Sequence, residues 1–163
     1  GWINFRMRAM LVSFASYHLW LHWRQTAVFL ARHFLDYEPG IHFSQFQMQS
    51  GVTGINTLRI YSPAKQVVDQ APEGEVLRRF CPALEGVPKV YLAEPHRMSG
   101  ALQEKVGCQI GKDYPRPIVM HREAYAMARQ RMGESRKRPE VRAESFRVQE
   151  RHGSRRRGRK RKR

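Results

Sequence analysis

The sequence predicts an all-α chain. Apolar residues recur near the helical period of 3.6 over residues 3–20 and again over 23–37. The alternating apolar and polar pattern of β-strands is nearly absent. Hydrophobic residues make up 41% of the 163 residues, which is enough for a core in one domain at most.

Local signals divide the first half of the chain. The amphipathic segment 23–37 predicts a second helix that ends at Pro39-Gly40, because this pair disfavours helix continuation. A short third helix is predicted at 44–49, followed by a loop rich in Gly, Thr and Asn. Pro63 makes residues 59–70 read as an irregular connection.

In the second half, a helix is predicted to start near Pro72 and to run through VLRRF. Proline suits the first helical position, and the acidic residues that follow it suit the helix dipole. Short helices are predicted at 90–98 and 101–106, and an extended spacer at 114–117. The last core helix covers 121–132 and is expected to continue toward residue 150.

Positive charge is concentrated at the C-terminal end. The chain carries 30 Lys and Arg against 14 Asp and Glu, a net charge of +16, and residues 133–163 contribute 14 of the cations with only 4 Glu. Such a balance favours a polyanionic partner. We therefore divide the chain into a domain at 1–132 and a basic tail at 133–163, which changes from helical to disordered near Gly153.

Other classes of protein are disfavoured. Two cysteines are too few for a secreted disulfide scaffold and indicate a reducing compartment. No metal-ligand spacing is present, so no metal site is expected. The apolar run 9–15 is much shorter than the ~20 residues that span a bilayer, and no membrane partner is expected. Because the sequence begins with Gly1, we expect it to be part of a longer chain.

Several distinctive sequence blocks follow one another over about residues 1–130. These blocks are GW with NFRMRAM (1–10), LHWRQ (21–25), FLDYEPG (34–40), FQMQSGVTGINTLRIYSPAKQ (46–66), PEGEVLRRFCPAL (72–84), AEPHRM (93–98) and DYPRPIVMHREA (113–124). In their order and spacing they resemble the DNA photolyase/cryptochrome family, and most closely a bacterial photolyase-like group.

The resemblance implies the C-terminal part of a helical FAD-binding domain. In photolyases, light excites the reduced flavin, which passes an electron to a pyrimidine dimer in DNA. In this family the FAD phosphates are held by an earlier part of the chain, so the implied partners are DNA and the missing N-terminal part of the parent protein. The implied location is the bacterial cytoplasm, at the nucleoid, or the nucleus in a eukaryote.

The same resemblance assigns flavin-binding positions. Trp2 matches a tryptophan packed at the flavin, and Arg8 and Asp36 match an ion pair beside the ring. Glu38 matches a position near the ribityl chain, and His42 matches the residue that faces flavin N5, where histidine is able to donate a hydrogen bond or a proton. On the residues alone, Arg8 and Asp36 also suit a structural ion pair, and His42 suits a surface position after a turn.

A catalytic role is implied for Trp23 as well as for His42. Trp23 matches the middle member of a relay of tryptophans that reduces the flavin in light. Phe46 stands where the flavin-proximal tryptophan lies and is much harder to oxidise, so this relay is expected to be broken unless Trp20 or Tyr17 substitutes. The alternative for Trp23 is simple core packing.

The lesion pocket departs from the family pattern. Phe5 replaces an asparagine that contacts flavin, and Met48 replaces a tryptophan that stacks on a flipped dimer, a task that suits methionine poorly. Arg6 is retained and is predicted to contact a DNA phosphate, which helps to offset the cost of flipping a damaged base.

The end of the tail, RHGSRRRGRKRKR, is predicted to bind phosphates without reading sequence, with Arg155, Arg156 and Arg157 among the contacts. A solvated terminus without a partner is the alternative.

The function expected is therefore part of a FAD-dependent, light-driven DNA photolyase that is inactive without the rest of the protein. Two alternatives stay open. One is a cryptochrome-like photoreceptor or DNA-binding module without repair activity, and the other is an inactive remnant.

Overall fold

The structure, a computed structural model, describes residues 1–153 as helices joined by turns and loops. The predicted all-α class is confirmed, because the described residues contain no strand beyond one isolated bridge between Ile110 and Tyr114. The chain forms two compact units. Among the described residues, the first contains Gly1–Ile60 and residues 122–153, and the second is Tyr61–His121.

The first unit begins with three helices, α1 (Phe5–Ser13), α2 (Trp23–Ala31) and α3 (Pro39–Gln49). Their shared core contains Val12, Ala27 and Phe46, one buried residue from each helix. Ala27 is completely buried, and its small side chain lets the three backbones approach closely.

The first predicted helix runs from Phe5 to His18, but its last part is π-helical rather than α-helical. Asn4 caps α1 by accepting a hydrogen bond from the Met7 amide at 3.0 Å. After Ser13 the chain widens into a π-helical turn, Phe14–His18. Trp20 then has a φ of 54°, a strained value for a bulky residue, and the Arg131 guanidinium lies 5.0 Å from its ring centroid.

The prediction that helix 23–37 ends at Pro39-Gly40 is wrong, because α2 ends at Ala31 and this pair begins α3. The carboxylate of Glu38 accepts hydrogen bonds from the amides of Gly40 and Ile41 at 3.0 and 2.6 Å. Proline suits the first helical position, where no amide hydrogen is needed. A side-chain cap followed by proline therefore starts a helix here instead of ending one.

The second unit contains α4 (Pro63–Gln70), α5 (Glu75–Phe80) and α6 (Gly100–Val106), with short 3₁₀ turns at Pro82–Leu84, Lys89–Tyr91 and Pro95–Arg97. The prediction of an irregular segment at 59–70 is wrong for its last eight residues. Ser62 caps α4 through its Oγ, which accepts from the Lys65 amide at 3.2 Å, and Pro63 occupies the first turn.

Arg78 joins the turns of the second unit. Its guanidinium donates to the carbonyl oxygens of Glu73, Glu85 and Val87 at 2.7, 3.2 and 3.1 Å. The core beside it consists of buried apolar side chains: Leu84, Val87, Leu92, Met98 and Cys108. The guanidinium therefore satisfies carbonyl groups that have no helical partner.

Two further helices return to the first unit, α7 (His121–Lys137) and α8 (Pro139–His152). The predicted continuation toward residue 150 is observed, but it is interrupted at Arg138, because the residue before a proline disfavours helical geometry. Within this unit, Ser145 of α8 lies against Gly54, where an added Cβ would come within 2.9 Å of the serine hydroxyl.

Candidate functional site

A cavity of about 370 Å³ opens in the first unit between the start of α1, the segment 34–38 and α3. The structure brings to it all six side chains that the resemblance assigned to flavin: Trp2, Phe5, Arg8, Asp36, Glu38 and His42. The apolar side chains at the mouth are open to solvent, with Trp2 69% and Phe5 55% exposed. This convergence defines the candidate site, while the role of each residue toward flavin stays a prediction.

Arg8 connects three parts of the cavity wall. Its Nη2 donates to both carboxylate oxygens of Asp36 at 2.6 and 2.8 Å, and its Nε donates to the carbonyl of Ile3 at 3.0 Å. The guanidinium also lies 4.4 Å from the centroid of the Phe34 ring, a cation–π contact. Arg8 therefore fixes the segment that carries Asp36 against α1.

The ion pair changes the acidity of Asp36. The hydrogen bond from Arg8 holds the pKa of the Asp36 carboxyl below its usual value, although partial desolvation works in the opposite direction. A backbone hydrogen bond and the charge of Arg8 add to the lowering. Asp36 is therefore ionised at neutral pH and supplies a fixed negative charge at the cavity.

Glu38 and His42 line the cavity but also hold α3 in place. The Glu38 carboxylate caps this helix, and His42 Nε2 lies 2.8 Å from the Ala27 carbonyl oxygen. A carbonyl only accepts hydrogen bonds, so Nε2 carries the proton and neutral His42 keeps Nδ1 as an acceptor. The prediction that His42 donates a proton to flavin therefore requires its doubly protonated form.

Aromatic rings surround His42. The ring of Phe46 lies 4.5 Å away, and those of Phe34 and Tyr37 meet it edge-on at 5.8 and 5.2 Å, measured between centroids. Trp23 packs against the core cluster that contains Phe46. Trp23 thus lies behind the part of the cavity wall that Phe46 forms. Phe46 is the residue that replaces the flavin-proximal tryptophan of the family.

The two proposed substitutes in the relay have very different environments. Trp20 is 43% exposed under Arg131, whereas Tyr17 is only 3% exposed and its hydroxyl has no hydrogen-bond partner among residues 1–153. Burial raises the pKa of Tyr17 to about 12, while the charge of Arg136 opposes this rise. A phenol that loses an electron also releases its proton, so a hydroxyl without an acceptor is a poor electron donor.

Tyr17 gives a direct test of this burial. The fold favours the neutral phenol. Its contribution to the free energy of unfolding is therefore fully present below pH ~10 and should fall by about 2–3 kcal/mol as pH rises to 12. Replacing Tyr17 with phenylalanine should abolish this contribution and leave stability at pH 7 unchanged or higher, because an unpaired buried hydroxyl is removed. Urea denaturation at pH 7, 10 and 11 measures this contribution, of which about half should be lost by pH 11.

The matched control is Tyr37→Phe, at a side chain that is 39% exposed. This variant should retain the alkaline loss of stability. An alkaline loss in Tyr17→Phe as large as that of the unmodified chain would contradict the assignment.

Of the predicted DNA-binding residues, Arg6 and Met48 lie outside the cavity. Arg6 is exposed on α1. Met48 lines a separate small cavity of about 70 Å³ with Gln49, Asn56 and Arg59. Arg155, Arg156 and Arg157 lie outside the described residues.

Sequence reasoning did not assign the two polar residues of α3 that line the cavity beside His42, Gln45 and Gln49. Both lie on the face of α3 that presents His42, at helical positions i+3 and i+7 from it. This spacing would have identified them if the helix had been predicted to begin at Pro39 instead of residue 44.

None of the helices in the described part of the chain combines the length and apolar character needed to cross a bilayer. Residues 1–153 also hold no group of three or more His, Cys, Asp and Glu side chains that could bind a metal ion.

The chain matches a known protein family. Residues 1–134 match the family model for the FAD binding domain of DNA photolyase. A deoxyribodipyrimidine photo-lyase from Alkalihalophilus pseudofirmus is 32% identical over 123 residues, covering 74% of this chain and 26% of the relative. A (6-4)DNA photolyase from Arabidopsis thaliana is 31% identical over 137 residues, covering 83% and 25%.

A solved structure has the same fold. The crystal structure of a Synechocystis cryptochrome superposes with a TM-score of 0.76 at 27% identity, over 80% of this chain and 27% of that one. This chain thus spans about a quarter of the length of the relatives it matches. The predicted cofactor, FAD, is confirmed, because the matching family model is the FAD binding domain of DNA photolyase. The chain belongs to the DNA photolyase/cryptochrome family.

Proposed function

We propose that this chain forms the ring-facing part of the FAD pocket in a light-driven DNA photolyase. The observation that carries the proposal is the convergence of Trp2, Phe5, Arg8, Asp36, Glu38 and His42 on one cavity. These residues come from two stretches of sequence about 30 residues apart, and the Arg8–Asp36 pair joins the stretches.

The cavity fits the ring system of a flavin. Its volume of about 370 Å³ lies within the range of about 300–1,000 Å³ that is typical of small-molecule sites. Aromatic walls from Trp2, Phe34 and Phe46 suit a flat ring, and the polar groups of Arg8 and Asp36 suit its heteroatoms. An apolar wall with a few placed polar groups is the usual composition of a cofactor site.

When bound, FAD supplies the light-absorbing ring and the electron that splits a pyrimidine dimer. The residues of this chain bind and orient the ring. Arg8 and Asp36 keep a fixed pair of charges at the cavity. The capping bonds of Glu38 fix the start of α3, which forms one wall of the cavity. The aromatic rings around His42 exclude water from this end of the cavity.

DNA is the proposed substrate. Arg6 is exposed on the same helix as Arg8 and is one turn or less from the cavity mouth, where a phosphate contact would position a damaged strand. The cations of residues 133–163 add an affinity for phosphates that does not depend on sequence.

One observation favours the second candidate, a cryptochrome-like photoreceptor without repair activity. Met48 lies outside the main cavity, and it provides no aromatic face for a flipped pyrimidine dimer to stack on. Under this alternative the flavin site is kept and the lesion site is lost.

A chimera separates the two candidates. Residues 1–134 replace the matching segment of the Alkalihalophilus photo-lyase, which supplies the rest of the FAD-binding domain. We expect the purified chimera to contain FAD and to repair ultraviolet-irradiated DNA in light, with more repair after Met48→Trp. Flavin absorbance and dimer loss are measured.

The control is the unmodified Alkalihalophilus photo-lyase, prepared and assayed in the same way. FAD retention with no light-dependent repair, even after Met48→Trp, would favour the photoreceptor. A folded chimera that retains no FAD would contradict both candidates.

A further inference from the structure

Gln45 brings to the cavity a polar group that the protein leaves unsatisfied. The residue lies on α3 and lines the cavity, yet its Oε1 is inaccessible to water and has no hydrogen-bond partner among residues 1–153. A buried acceptor without a partner costs free energy, so a native structure rarely keeps one without a reason.

The ionisable side chains of the cavity that carry its walls already have partners within the protein. Arg8 and Asp36 bind each other, Glu38 caps α3, and His42 Nε2 binds the Ala27 carbonyl. These bonds fix the walls of the cavity.

The amide of Asn4 is also committed, since its Oδ1 caps α1. Gln45 differs from these residues because its carboxamide makes no such structural bond. Among the residues that line the cavity, it is the one with a buried side-chain acceptor that has no hydrogen-bond partner in residues 1–153.

We propose that the carboxamide of Gln45 pairs with the polar edge of the isoalloxazine ring, where an N–H donor adjoins a carbonyl acceptor. This inference rests on the proposed function, which places the flavin ring in the cavity. A carboxamide carries one acceptor and one amino donor side by side, so it matches such an edge with two parallel hydrogen bonds. Rotation about the last side-chain bond turns either end toward the ring.

The position of Gln45 on α3 supports this pairing. It lies one helical turn after His42 and one turn before Gln49, and all three residues line the cavity. Phe46, the next residue, supplies an aromatic wall. The ring would therefore meet an apolar face from Phe46 and a hydrogen-bonding group from Gln45 on the same helix.

The test uses the full 163-residue chain and lumiflavin, which contains the isoalloxazine ring without the phosphates and adenine. Affinity is measured by fluorescence for oxidised lumiflavin and, without oxygen, by absorbance for the reduced form. Gln45→Met keeps the length of the side chain and removes both polar groups. We expect it to weaken binding of at least one form about five- to tenfold.

The matched control is Gln47→Met, because Gln47 is exposed on the same helix. It should change neither affinity by more than about twofold. In the absence of lumiflavin, Gln45→Met should unfold at the same or a higher urea concentration than the unmodified chain, because the orphaned acceptor is gone. A purely structural role for Gln45 would give the opposite result.

A second variant, Gln45→Glu, keeps the test decisive if Gln45→Met does not fold. A carboxylate accepts hydrogen bonds but donates none, so it should also weaken binding at least fivefold. Equal affinities of the unmodified chain and both Gln45 variants for both redox forms would overturn the inference alone. No saturable binding of lumiflavin to the unmodified chain would overturn the flavin site and this inference together.

Discussion

Replacing Gly74 with alanine is expected to lower the free energy of unfolding of the unit at 61–121 by about 2–4 kcal/mol. Gly74 has a φ of 73°, a left-handed value that costs other residues about 1–2 kcal/mol. An added Cβ would also collide with the Leu92 side chain and lie 3.0 Å from Arg78 Nη1. Leu92 is buried in the core and has little room to move.

Two other glycines of the same unit separate these effects. Gly107 also has a positive φ, 68°, but an added Cβ would meet nothing within 4 Å, so its alanine variant should cost only about 1–2 kcal/mol. Gly100 lies in the first turn of α6 with open space around it, and its alanine variant should be neutral or stabilise by about 0.4–1 kcal/mol.

Urea denaturation followed by circular dichroism gives the three values, and hydrogen exchange at the Leu92 and Cys108 amides assigns them to this unit. The expected order of destabilisation is Gly74, then Gly107, then Gly100. Equal losses of stability in the Gly74 and Gly107 variants would mean that the side chains of Leu92 and Arg78 move away from the added Cβ without a loss of free energy. The contact would then contribute nothing beyond backbone strain.

Hydrophobic spacing in the sequence predicted the helical class because one apolar face repeats in α1, α2 and α7. It did not predict where helices begin, since the same proline ends one helix or starts the next. The deciding signal at Pro39 and Pro63 is the residue before each of them, Glu38 and Ser62, whose side chains cap the new helix.

Other features depend on tertiary packing. The π-helical turn at Phe14–His18 places one extra residue in a turn, which apolar spacing cannot distinguish from a regular helix. The left-handed backbone of Trp20 has no sequence signal either, because glycine is the residue expected there.

The site was predicted from the family resemblance and not from residue spacing. Arg8 and Asp36 are 28 positions apart, and no local pattern brings them together. Once a helix beginning at Pro39 is known, helical spacing from His42 identifies Gln45, Phe46 and Gln49 as its neighbours. The unsatisfied amide of Gln45 becomes visible only when all its neighbours are placed.

Replacing Arg8 with methionine should weaken the binding of lumiflavin by the full chain at least tenfold, because one guanidinium holds Asp36, Ile3 and Phe34 around the cavity. Its effect on stability should be much smaller. The Asp36 side chain is 49% exposed, and ion pairs open to solvent contribute little to folding. A large loss of binding with a small loss of stability is the result expected of a ligand site.

The pH dependence of the ion pair follows from the lowered pKa of Asp36. A carboxyl whose pKa is lower in the folded state stabilises the fold above its ordinary pKa of about 3.9, and this contribution disappears as pH falls through the lowered value. The stability difference between the unmodified chain and Arg8→Met should thus be constant at neutral pH and shrink below pH ~4. Nuclear magnetic resonance titration should show the Asp36 pKa rising in the variant.

A matched control distinguishes this pair from an ordinary surface ion pair. Lys65 and Asp69 form an exposed pair at 3.0 Å on α4, and Lys65→Met should change stability slightly and lumiflavin binding not at all. In a double-mutant cycle with Asp36→Asn, the losses of binding should be far from additive, because either single change removes the same interaction. Additive losses would mean that Arg8 and Asp36 act on the ligand independently, and the ion pair would then be a structural link between α1 and the segment that follows α2.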